Sequence, residues 1–305
     1  MIILASMLRV TIIVNGSKPI AIQKAEAYSA FCSGHGTFEI ITTQRQGHAI
    51  FIASECSSRS DIIAVFGGDG TLSECINGLM QLTNRGQQQL PRICLVPCGT
   101  GNDFARNFTQ IRSAEDFLKT ILNASTQSID VIQAACADGT KKFILNAGDA
   151  GFGAAVVEHL EKNRSKHPLF RGFGWSILHT FSFYRKKELT LKTDRASWKG
   201  NALLVAFNNG KYFGNGIGIS PDASPLNGQL QITIIGAVSV WEYLIYLPRL
   251  RRCAKINHPE VHYLTCQNAI IEGQGLTEFD GELGPMLPID IRVLPNALFW
   301  LELPK

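Results

Sequence analysis

Two short glycine-rich segments place flexible backbone and polar side chains where strands are predicted to end. The first is Gly67–Glu74 (GGDGTLSE) and the second is Pro97–Phe104 (PCGTGNDF). Glycines let the backbone approach a bulky anion, and the N–H groups that open the next helix then face its oxygens. Together the segments predict a phosphate-binding site at the carboxyl edge of a sheet. Each one alone would also fit an ordinary glycine turn before a capped helix.

Acidic residues accompany these glycines. Asp69 lies inside the first segment and Asp103 lies in the second. A carboxylate repels phosphate, so Asp69 fits the site if Mg²⁺ and its water shell lie between them, and we expect Asp103 to join that shell. Near the C-terminus, Asp280 and Glu282 flank Gly281 at the end of a predicted strand. That turn either presents a carboxylate to a cleft or is a simple polar hairpin.

The elements that would position these residues fall into two parts. Up to about residue 125 the chain alternates strands with helices. Strands are predicted at 10–15, 38–43, 61–66 and 92–97, and helices at 20–32, 47–56, 72–82, 103–107 and 113–122. Repeated βα units predict a parallel sheet with helices on both faces, so 1–125 is predicted to be an α/β domain.

Beyond residue 125, strands dominate. They are predicted at 128–135, 142–146, 189–192, 200–208, 229–235, 261–271, 289–293 and 298–303, with helices at 173–184 and 240–252. This pattern predicts a β-rich, antiparallel second domain over 126–294. The last strands, about 295–305, are candidates to rejoin the first domain.

Composition narrows the function classes. Hydrophobic residues make up 45% of the 305 residues and charged residues 18%, which is typical of a folded protein. A net charge of +4 without a long Lys/Arg run argues against nucleic-acid binding. Eight cysteines follow no zinc pattern, which predicts buried free thiols in a reducing compartment.

The apolar segments are all short. None approaches the roughly 20 residues that span a bilayer, and the N-terminal apolar run is too short for a signal peptide. We expect a cytoplasmic protein whose membrane contact, if any, is peripheral and on the inner face. Met1 and Met7 are both candidate start sites.

The GGDGT and PxGTxNDF segments together resemble the diacylglycerol kinase catalytic family, which includes sphingosine kinases and bacterial YegS-like lipid kinases. The resemblance extends over nearly the whole chain. It implies a fold like that of NAD kinase and diacylglycerol kinase, and transfer of the ATP γ-phosphate to a lipid hydroxyl with Mg²⁺. The nucleotide-binding residues that it implies are Asn15, Gly16, Ser17, Thr43, Gly67, Gly68, Asp69, Gly70, Thr71, Leu72, Ser73, Glu74, Gly99 and Thr100.

The resemblance also implies roles for polar residues near the lipid and the metal. Glu282 matches the glutamate of the family's Asp-Gly-Glu segment, which is taken as the base for the lipid hydroxyl, and Asp69 acts with it as a catalytic residue. A structural Mg²⁺ site of the family corresponds to Ser224, Asn227 and Gln229. Asn227 stands where the family has an aspartate, and its neutral amide lowers the expected Mg²⁺ affinity.

Several features leave two interpretations open. Segment 148–153 resembles one that borders the family's lipid cleft, and by its residues alone is a flexible turn. Asp130 either joins the Mg²⁺ network of Asp103 or caps a turn. Basic clusters at 185–187 and 249–252, beside aromatic helices, either contact anionic lipid or are solvated helix ends.

Two other functions compete with a lipid kinase. An NAD kinase or another small-molecule kinase is possible because related enzymes also carry GGDGT, although the Asn-Asp-Phe after the second loop favours the lipid branch. A catalytically inactive lipid-binding module is the second alternative, against which the intact Asp69 and Glu282 argue. The expected partner is a diacylglycerol-like lipid at a membrane surface. The sequence does not identify the lipid, because the apolar residues that line acyl pockets are interchangeable. It does not identify the oligomeric state either.

Overall fold

The computed structural model describes residues 7–83, 90–123, 125–163 and 173–304. Met1, one of the two candidate start sites, lies outside them. The chain divides into two compact units. The first contains the residues up to Ile129 and those from Asn296 onward, and the second is Asp130–Pro295. The assignment of nucleotide and lipid binding to the two parts of the chain stays a prediction.

The first unit is built on a parallel sheet. Its strands are β1 (Leu8–Val14), β2 (Gly36–Thr42), β3 (Ile62–Gly67) and β4 (Arg92–Pro97), in the order β2-β1-β3-β4. The helices are α1 (Pro19–Cys32), α2 (His48–Cys56), α3 (Asp69–Thr83) and α4 (Ala114–Asn123), with a 3₁₀ helix at Phe104–Asn107. All the paired strands run parallel, which confirms the predicted α/β class.

The core of this unit explains why β3 lies centrally. Every residue of β3 is buried, so the strand tolerates no polar face. Phe66 packs edge-on against Tyr28 of α1 and Phe117 of α4, with ring centroids 5.7 and 5.5 Å away. This cluster fixes the strand just before its glycine-rich end.

The second unit is mainly antiparallel, as predicted. Its strands include β5 (Ser125–Cys136), β6 (Lys141–Ile144), β7 (Ala147–Gly151), β8 (Lys187–Thr193), β9 (Ser197–Ala202), β10 (Leu204–Asn208), β11 (Leu230–Ile235), β12 (Val261–Cys266), β13 (Asn268–Gly273), β14 (Leu276–Phe279), β15 (Glu282–Met286) and the first half of β16 (Ile289–Glu302). The helices are α5 (Phe152–Lys162), α6 (Phe173–Phe183) and α7 (Val240–Arg251). One sheet has the order β12-β11-β10-β7-β14-β15.

Each face of that sheet has its own apolar cluster. Val205, Phe207 and Phe279 pack against residues of β5, β8, β13 and β16, so the two sheets of this unit share one core. Leu204 and Ala206 point to the other face, where they pack with Phe152, Ile177 and Leu250 of α5, α6 and α7. The strict alternation along β10 decides which residues lie under the helices.

Two segments that were each predicted to form one strand form two strands instead. The segment 261–271 divides at Gln267, because β12 pairs with β11 whereas β13 pairs with β8 and β16. The segment 200–208 divides at Leu203, since β9 pairs with β8 and β10 pairs with β7 and β11. In both places the chain leaves one sheet for the other without a glycine or proline at the break, so the sequence carried no turn signal.

Three further elements differ from the predicted secondary structure. The 289–293 and 298–303 strands form one element, β16, despite Pro295 and the left-handed Asn296 (φ 53°). The turn interpretation of 148–153 is wrong, because Gly148 lies in the buried strand β7, where a Cβ would come 2.5 Å from Phe207 Cε2. Helix α3 begins at Asp69, three residues before the predicted helix start at residue 72, and the Leu72 N–H donates to Gly68 O at 3.1 Å.

The structure also bears on the predictions about free thiols and membrane-spanning segments. All eight cysteines are free, and all but Cys98 and Cys253 are buried. Across the described residues, the longest apolar helices fall short of what a bilayer crossing requires.

We predict that Phe66→Ala lowers the free energy of unfolding by about 3–5 kcal/mol, because it leaves a cavity between α1 and α4. Urea denaturation followed by circular dichroism measures the change. The control is Phe51→Ala, since the Phe51 side chain is 59% exposed and its loss should cost within about 0.5 kcal/mol. Equal losses in the two variants would contradict the central position of Phe66.

Candidate functional site

The two predicted glycine loops are in contact in the first unit. The Cys98 N–H after β4 donates to Gly67 O at the end of β3, at 2.7 Å. A Cβ on Gly99 would lie 2.5 Å from Gly68 Cα, and one on Gly68 would lie 2.9 Å from Gly99 Cα. Only glycine at both positions permits this approach, which joins the ends of neighbouring parallel strands into one surface.

The carboxylate of Asp69 holds the second loop in place. Its Oδ2 accepts a hydrogen bond from the Asp103 N–H at 3.0 Å, and its Oδ1 accepts one from the Phe104 N–H at 3.1 Å. Both bonds are charge-assisted and therefore stronger than neutral ones. Asp69 thus connects the first turn of α3 to the start of the 3₁₀ helix.

Asp69 and Asp103 face a common space beside Gly101. The position that a Gly101 Cβ would occupy is 3.2 Å from Asp69 Oδ2 and 3.7 Å from Asp103 Oδ2. Arg106 partly balances this negative charge, since its Nε lies 3.3 Å from Asp103 Oδ1 and its guanidinium donates to Gly101 O at 3.1 Å. Two carboxylates beside one space have the oxygen chemistry that Mg²⁺ and its waters require.

The predicted first nucleotide loop lies against α3. Asn15 Nδ2 donates to Thr71 Oγ1 at 3.0 Å, while Asn15 Oδ1 accepts from the Ser17 N–H and hydroxyl at 3.0 and 2.7 Å. The Gly16 N–H donates to Thr43 Oγ1 at 3.1 Å. The structure therefore brings Asn15, Gly16, Ser17, Thr43 and Thr71 into one hydrogen-bonded group.

Two residues of the GGDGT helix serve the scaffold in this structure. The Glu74 carboxylate accepts from the Gly47 and Ala49 N–H groups at 2.8 and 3.1 Å, which caps the start of α2. Leu72 is fully buried, and its N–H is bonded to Gly68 O. The nucleotide contacts predicted for Glu74 and Leu72 stay predictions, as do those of Gly70, Ser73 and Thr100.

Asn102 of the second loop has a structural role that the sequence pattern did not indicate. It has a left-handed backbone (φ 51°), its Oδ1 accepts from the Gly99 N–H at 3.0 Å, and its Nδ2 donates to Gly99 O at 2.9 Å. This pair of bonds closes the loop around Gly99. Asparagine is enriched in turns because it tolerates this conformation, and that was the available signal.

In the second unit, Glu282 follows a two-residue hairpin turn. Phe279 and Glu282 are paired across β14 and β15, and the intervening Asp280 and Gly281 both have positive φ, 51° and 85°. This is the Asp-Gly pattern of a type I′ turn. The Glu282 side chain is exposed.

Asp280, which the sequence analysis treated only as a flanking acid, anchors this turn. Its Oδ2 accepts from the Leu145 N–H at 2.8 Å, and its Oδ1 accepts from the N–H groups of Asn146 and Ala147 at 2.9 and 3.2 Å. A carboxylate held by three backbone N–H groups is fixed in orientation. The turn before Glu282 is therefore held rigidly. The assignment of Glu282 as the general base stays a prediction.

The proposed structural metal loop is closed by its own hydrogen bonds. Asn227 Oδ1 accepts from the Gln229 N–H at 3.0 Å, and Ser224 Oγ accepts from the Leu226 N–H at 3.4 Å. Asp130 Oδ2 accepts a hydrogen bond from the Gly228 N–H at 2.6 Å. This bond agrees with the interpretation that Asp130 caps a turn. These residues form an ordered loop without requiring an ion, so the structure gives no independent support for Mg²⁺ there.

Comparison with known proteins explains why these features occur together. Residues 9–134 match the family model of the diacylglycerol kinase catalytic domain. Residues 147–302 match the model of the YegS C-terminal NAD kinase beta sandwich-like domain. This chain belongs to the family of YegS-like proteins, which combine a diacylglycerol kinase catalytic domain with a YegS C-terminal domain.

Individual relatives agree with the family assignment at low identity. A diacylglycerol kinase of Mycobacterium tuberculosis is 25% identical over 268 residues, which cover 87% of this chain and 84% of the relative. A diacylglycerol kinase of Bacillus subtilis is 28% identical over 251 residues, covering 79% and 78%. A crystal structure of a diacylglycerol kinase from Bacillus anthracis shares the fold, with a TM-score of 0.71, 21% identity and 97% coverage of both chains.

For this family member, we predict that Gly99→Ala weakens binding of Mg²⁺·ATP by at least about tenfold, because the new methyl group must push the two loops apart. Isothermal titration calorimetry measures the affinity, and circular dichroism checks the fold. The control is Gly34→Ala, where a Cβ meets open space. Unchanged affinity in a folded Gly99→Ala variant would argue against nucleotide binding at these loops.

Proposed function

We propose that this protein is an ATP-dependent lipid kinase that transfers the γ-phosphate of ATP to a hydroxyl of a diacylglycerol-like lipid. The observation that carries the proposal is the pair of glycine loops held together by Asp69 at the ends of β3 and β4. Membership of a lipid kinase family and relatives named diacylglycerol kinase support the acceptor class.

The loops have the properties that a triphosphate requires. The first turn of α3 presents backbone N–H groups that lack intrahelical acceptors, and the helix dipole places partial positive charge there. Gly68 and Gly99 leave room for phosphate oxygens to approach the main chain. The hydroxyl of Thr43 and the amide of Asn15 lie beside the same helix turn, through the Asn15–Thr71 hydrogen bond.

The acidic residues fit a hydrated Mg²⁺. Asp69 and Asp103 would hold its water shell from the space beside Gly101, where both carboxylates point. When bound, Mg²⁺ neutralises the charge that develops on the transferred phosphoryl group. Phosphoryl transfer needs mainly positioning and charge stabilisation, so a rigid loop pair is suited to it.

Glu282 is the residue that we propose as the general base for the lipid hydroxyl. Glu282 lies at an exposed position directly after a turn that Asp280 fixes. A general base held on a rigid element contributes typically 10²–10⁴-fold to the rate.

A surface formed by α6 and α7, which we call the α6–α7 surface, has the composition of a membrane contact. Trp241 and Ile245 of α7 are each 72% exposed, and Phe183 of α6 is 75% exposed. The helices are joined by ring packing of Phe181 on Tyr243, with centroids 5.3 Å apart. Six exposed basic residues lie in the last turn of α7 or directly after one of the two helices: Arg185, Lys186, Lys187, Arg249, Arg251 and Arg252.

The spacing along α7 places apolar and basic groups on one stripe. Trp241, Ile245 and Arg249 are separated by four residues each, so they share a helix face. Exposed aromatic residues beside arginines are typical of helices that lie in the interface of an anionic bilayer. We propose that the α6–α7 surface brings the enzyme to the membrane that holds its lipid.

NAD or another soluble molecule is the alternative acceptor. The α6–α7 surface favours the lipid, because a soluble acceptor gives no reason for exposed Trp241 and Ile245. Incubation with radiolabelled ATP and either a lipid extract or NAD tests the choice directly. Label in the lipid fraction supports the proposal, label in NAD supports the alternative, and label in neither supports an inactive lipid-binding module.

We predict that Glu282→Gln lowers kcat by about 10²–10⁴-fold while ATP affinity stays within about twofold, because the amide cannot accept the hydroxyl proton. Steady-state assays with diacylglycerol in mixed micelles measure kcat. Glu272→Gln is the matched control, since Glu272 is a partly exposed acid that pairs with Lys192 on another strand. Near-full turnover by Glu282→Gln would rule out Glu282 as the base.

We predict that Trp241→Ala combined with Ile245→Ala weakens binding to vesicles of anionic phospholipid by about tenfold or more, because two apolar side chains no longer enter the interface. Vesicle sedimentation measures the binding. The control is Phe31→Ala, since Phe31 is 49% exposed on α1 in the other unit. Equal binding by all variants would mean that another surface meets the membrane.

A further inference from the structure

Two carboxyl groups lie side by side in the interior of the second unit. Asp149 of β7 and Glu278 of β14 are directly opposite in the antiparallel register, and both are 0% exposed. They lie on the face of the sheet that α5 covers, because Ala206, the β10 partner of Asp149, belongs to the helix-facing cluster. Gly153 in the first turn of α5 touches Asp149 so closely that any Cβ would overlap its Oδ2.

Each carboxyl group has one oxygen bonded to the backbone and one that is not. Asp149 Oδ1 accepts from the Ala154 N–H at 3.3 Å, and Glu278 Oε2 accepts from the Gly281 N–H at 2.8 Å. Asp149 Oδ2 and Glu278 Oε1 are buried and have no hydrogen-bond donor among the described residues. A single proton between these two oxygens would satisfy both of them, whereas two adjacent buried charges would be strongly unfavourable.

The surroundings decide which group keeps the proton. Burial raises the pKa of Glu278, and the neighbouring Asp149 charge raises it further. Burial also raises the pKa of Asp149, but the N–H groups of Gly153 and Ala154 act in the opposite direction. The negative charge is therefore favoured on Asp149, at the N-terminus of α5, and the proton on Glu278.

Among the described residues, few other ionisable groups lie near the pair. Asp280 on the adjoining turn raises the pKa of Glu278 slightly through its charge, and the charge of Asp149 adds to burial in raising the pKa of Tyr184. Glu282 opens β15 with an exposed side chain. The ionisable residues of α5 are Glu158, His159, Glu161 and Lys162, all beyond its first turn.

Glu278 connects this pair to the turn that carries Glu282. Its Oε2 holds the N–H of Gly281, the residue immediately before Glu282, while Asp280 holds the other side of the turn. We propose that Asp149 and Glu278 form a carboxylic acid–carboxylate pair, joined by one shared proton, that positions Glu282. The Glu282 part of this inference rests on the proposed function, whereas the shared proton does not.

Amide substitutions test the shared proton. Glu278→Gln keeps one donor toward Asp149, because its amide N–H replaces the acid O–H and its oxygen still accepts from Gly281. Asp149→Asn also keeps one donor, now directed at a Glu278 carboxylate. The double variant Asp149→Asn/Glu278→Gln turns two NH₂ groups toward each other, since both oxygens are held by backbone N–H groups. We expect urea denaturation to show a stability loss in the double variant that exceeds the sum of the single losses.

The pH dependence of unfolding gives a second readout. Glu278 keeps its proton in the folded state at pH values where the unfolded chain has released it. The unfolding equilibrium constant should therefore rise with pH, by up to about tenfold per unit, above the ordinary glutamate pKa near 4.5 and until the folded pair itself loses the proton. Glu278→Gln should reduce this slope relative to wild type, and Glu272→Gln should leave it unchanged.

Turnover tests the positioning role. We expect Glu278→Ala to lower kcat on diacylglycerol micelles at least about tenfold with little change in the KM for ATP, and Glu278→Gln to restore most of the loss. Wild-type kcat should fall at alkaline pH as the pair loses its proton, and this limb should be absent from Glu278→Gln, which has no such proton to lose.

Four outcomes would overturn the inference or part of it. A double amide variant no less stable than the single variants would exclude the shared proton. Stabilisation of wild type, but not of Glu278→Gln, by Mg²⁺ or Na⁺ would show that a cation takes the place of the proton. An alkaline limb that persists in Glu278→Gln would refute the positioning role. A wild-type protein that phosphorylates no lipid would refute the proposed function and the Glu282 role, while the denaturation series would still decide on the proton.

Discussion

The hydrogen bonds from the backbone of Asp103 and Phe104 to the carboxylate of Asp69 are the interaction on which the candidate site depends. They connect the first turn of α3 to the loop after β4, so the two glycine segments act as one rigid surface. The contact between Gly68 and Gly99 sets the spacing, and Asn102 closes the second loop. A phosphate-binding surface made of main chain needs such external bracing because glycines supply none themselves.

The same use of acidic side chains recurs in the second unit. Asp280 binds three backbone N–H groups, Asp130 binds that of Gly228, and Glu278 binds that of Gly281. These carboxyl groups fix the backbone of turns through hydrogen bonds to N–H groups. Glu282 differs from them because its side chain is exposed.

Much of this arrangement could be predicted from the sequence because local signals agreed with the fold. The buried run of β3 followed by Gly-Gly-Asp-Gly-Thr predicted a strand and then a helix, and both elements are present, although α3 starts earlier at Asp69. Phosphate binding by the loop between them stays a prediction. The parallel and antiparallel characters of the two parts followed from the order of strands and helices.

What the sequence could not provide depends on contacts between distant residues. The sheet changes at Leu203 and Gln267 have no turn residues, because the partners of each strand determine the break. Strand β7 is too rich in glycine and alanine to show a strand pattern, yet it lies buried against Phe207. The bonds of Asp69 to Asp103 and of Asp280 to Asn146 likewise become visible only in three dimensions.

The central claim is that the braced glycine loops bind the phosphates of ATP. A crystal structure with Mg²⁺ and a non-hydrolysable ATP analogue tests it most directly. The account predicts phosphate oxygens against the backbone N–H groups at the start of α3 and near Gly99, with the metal waters on Asp69. Phosphates bound elsewhere, with the Asp69 carboxylate remote from the metal, would contradict it.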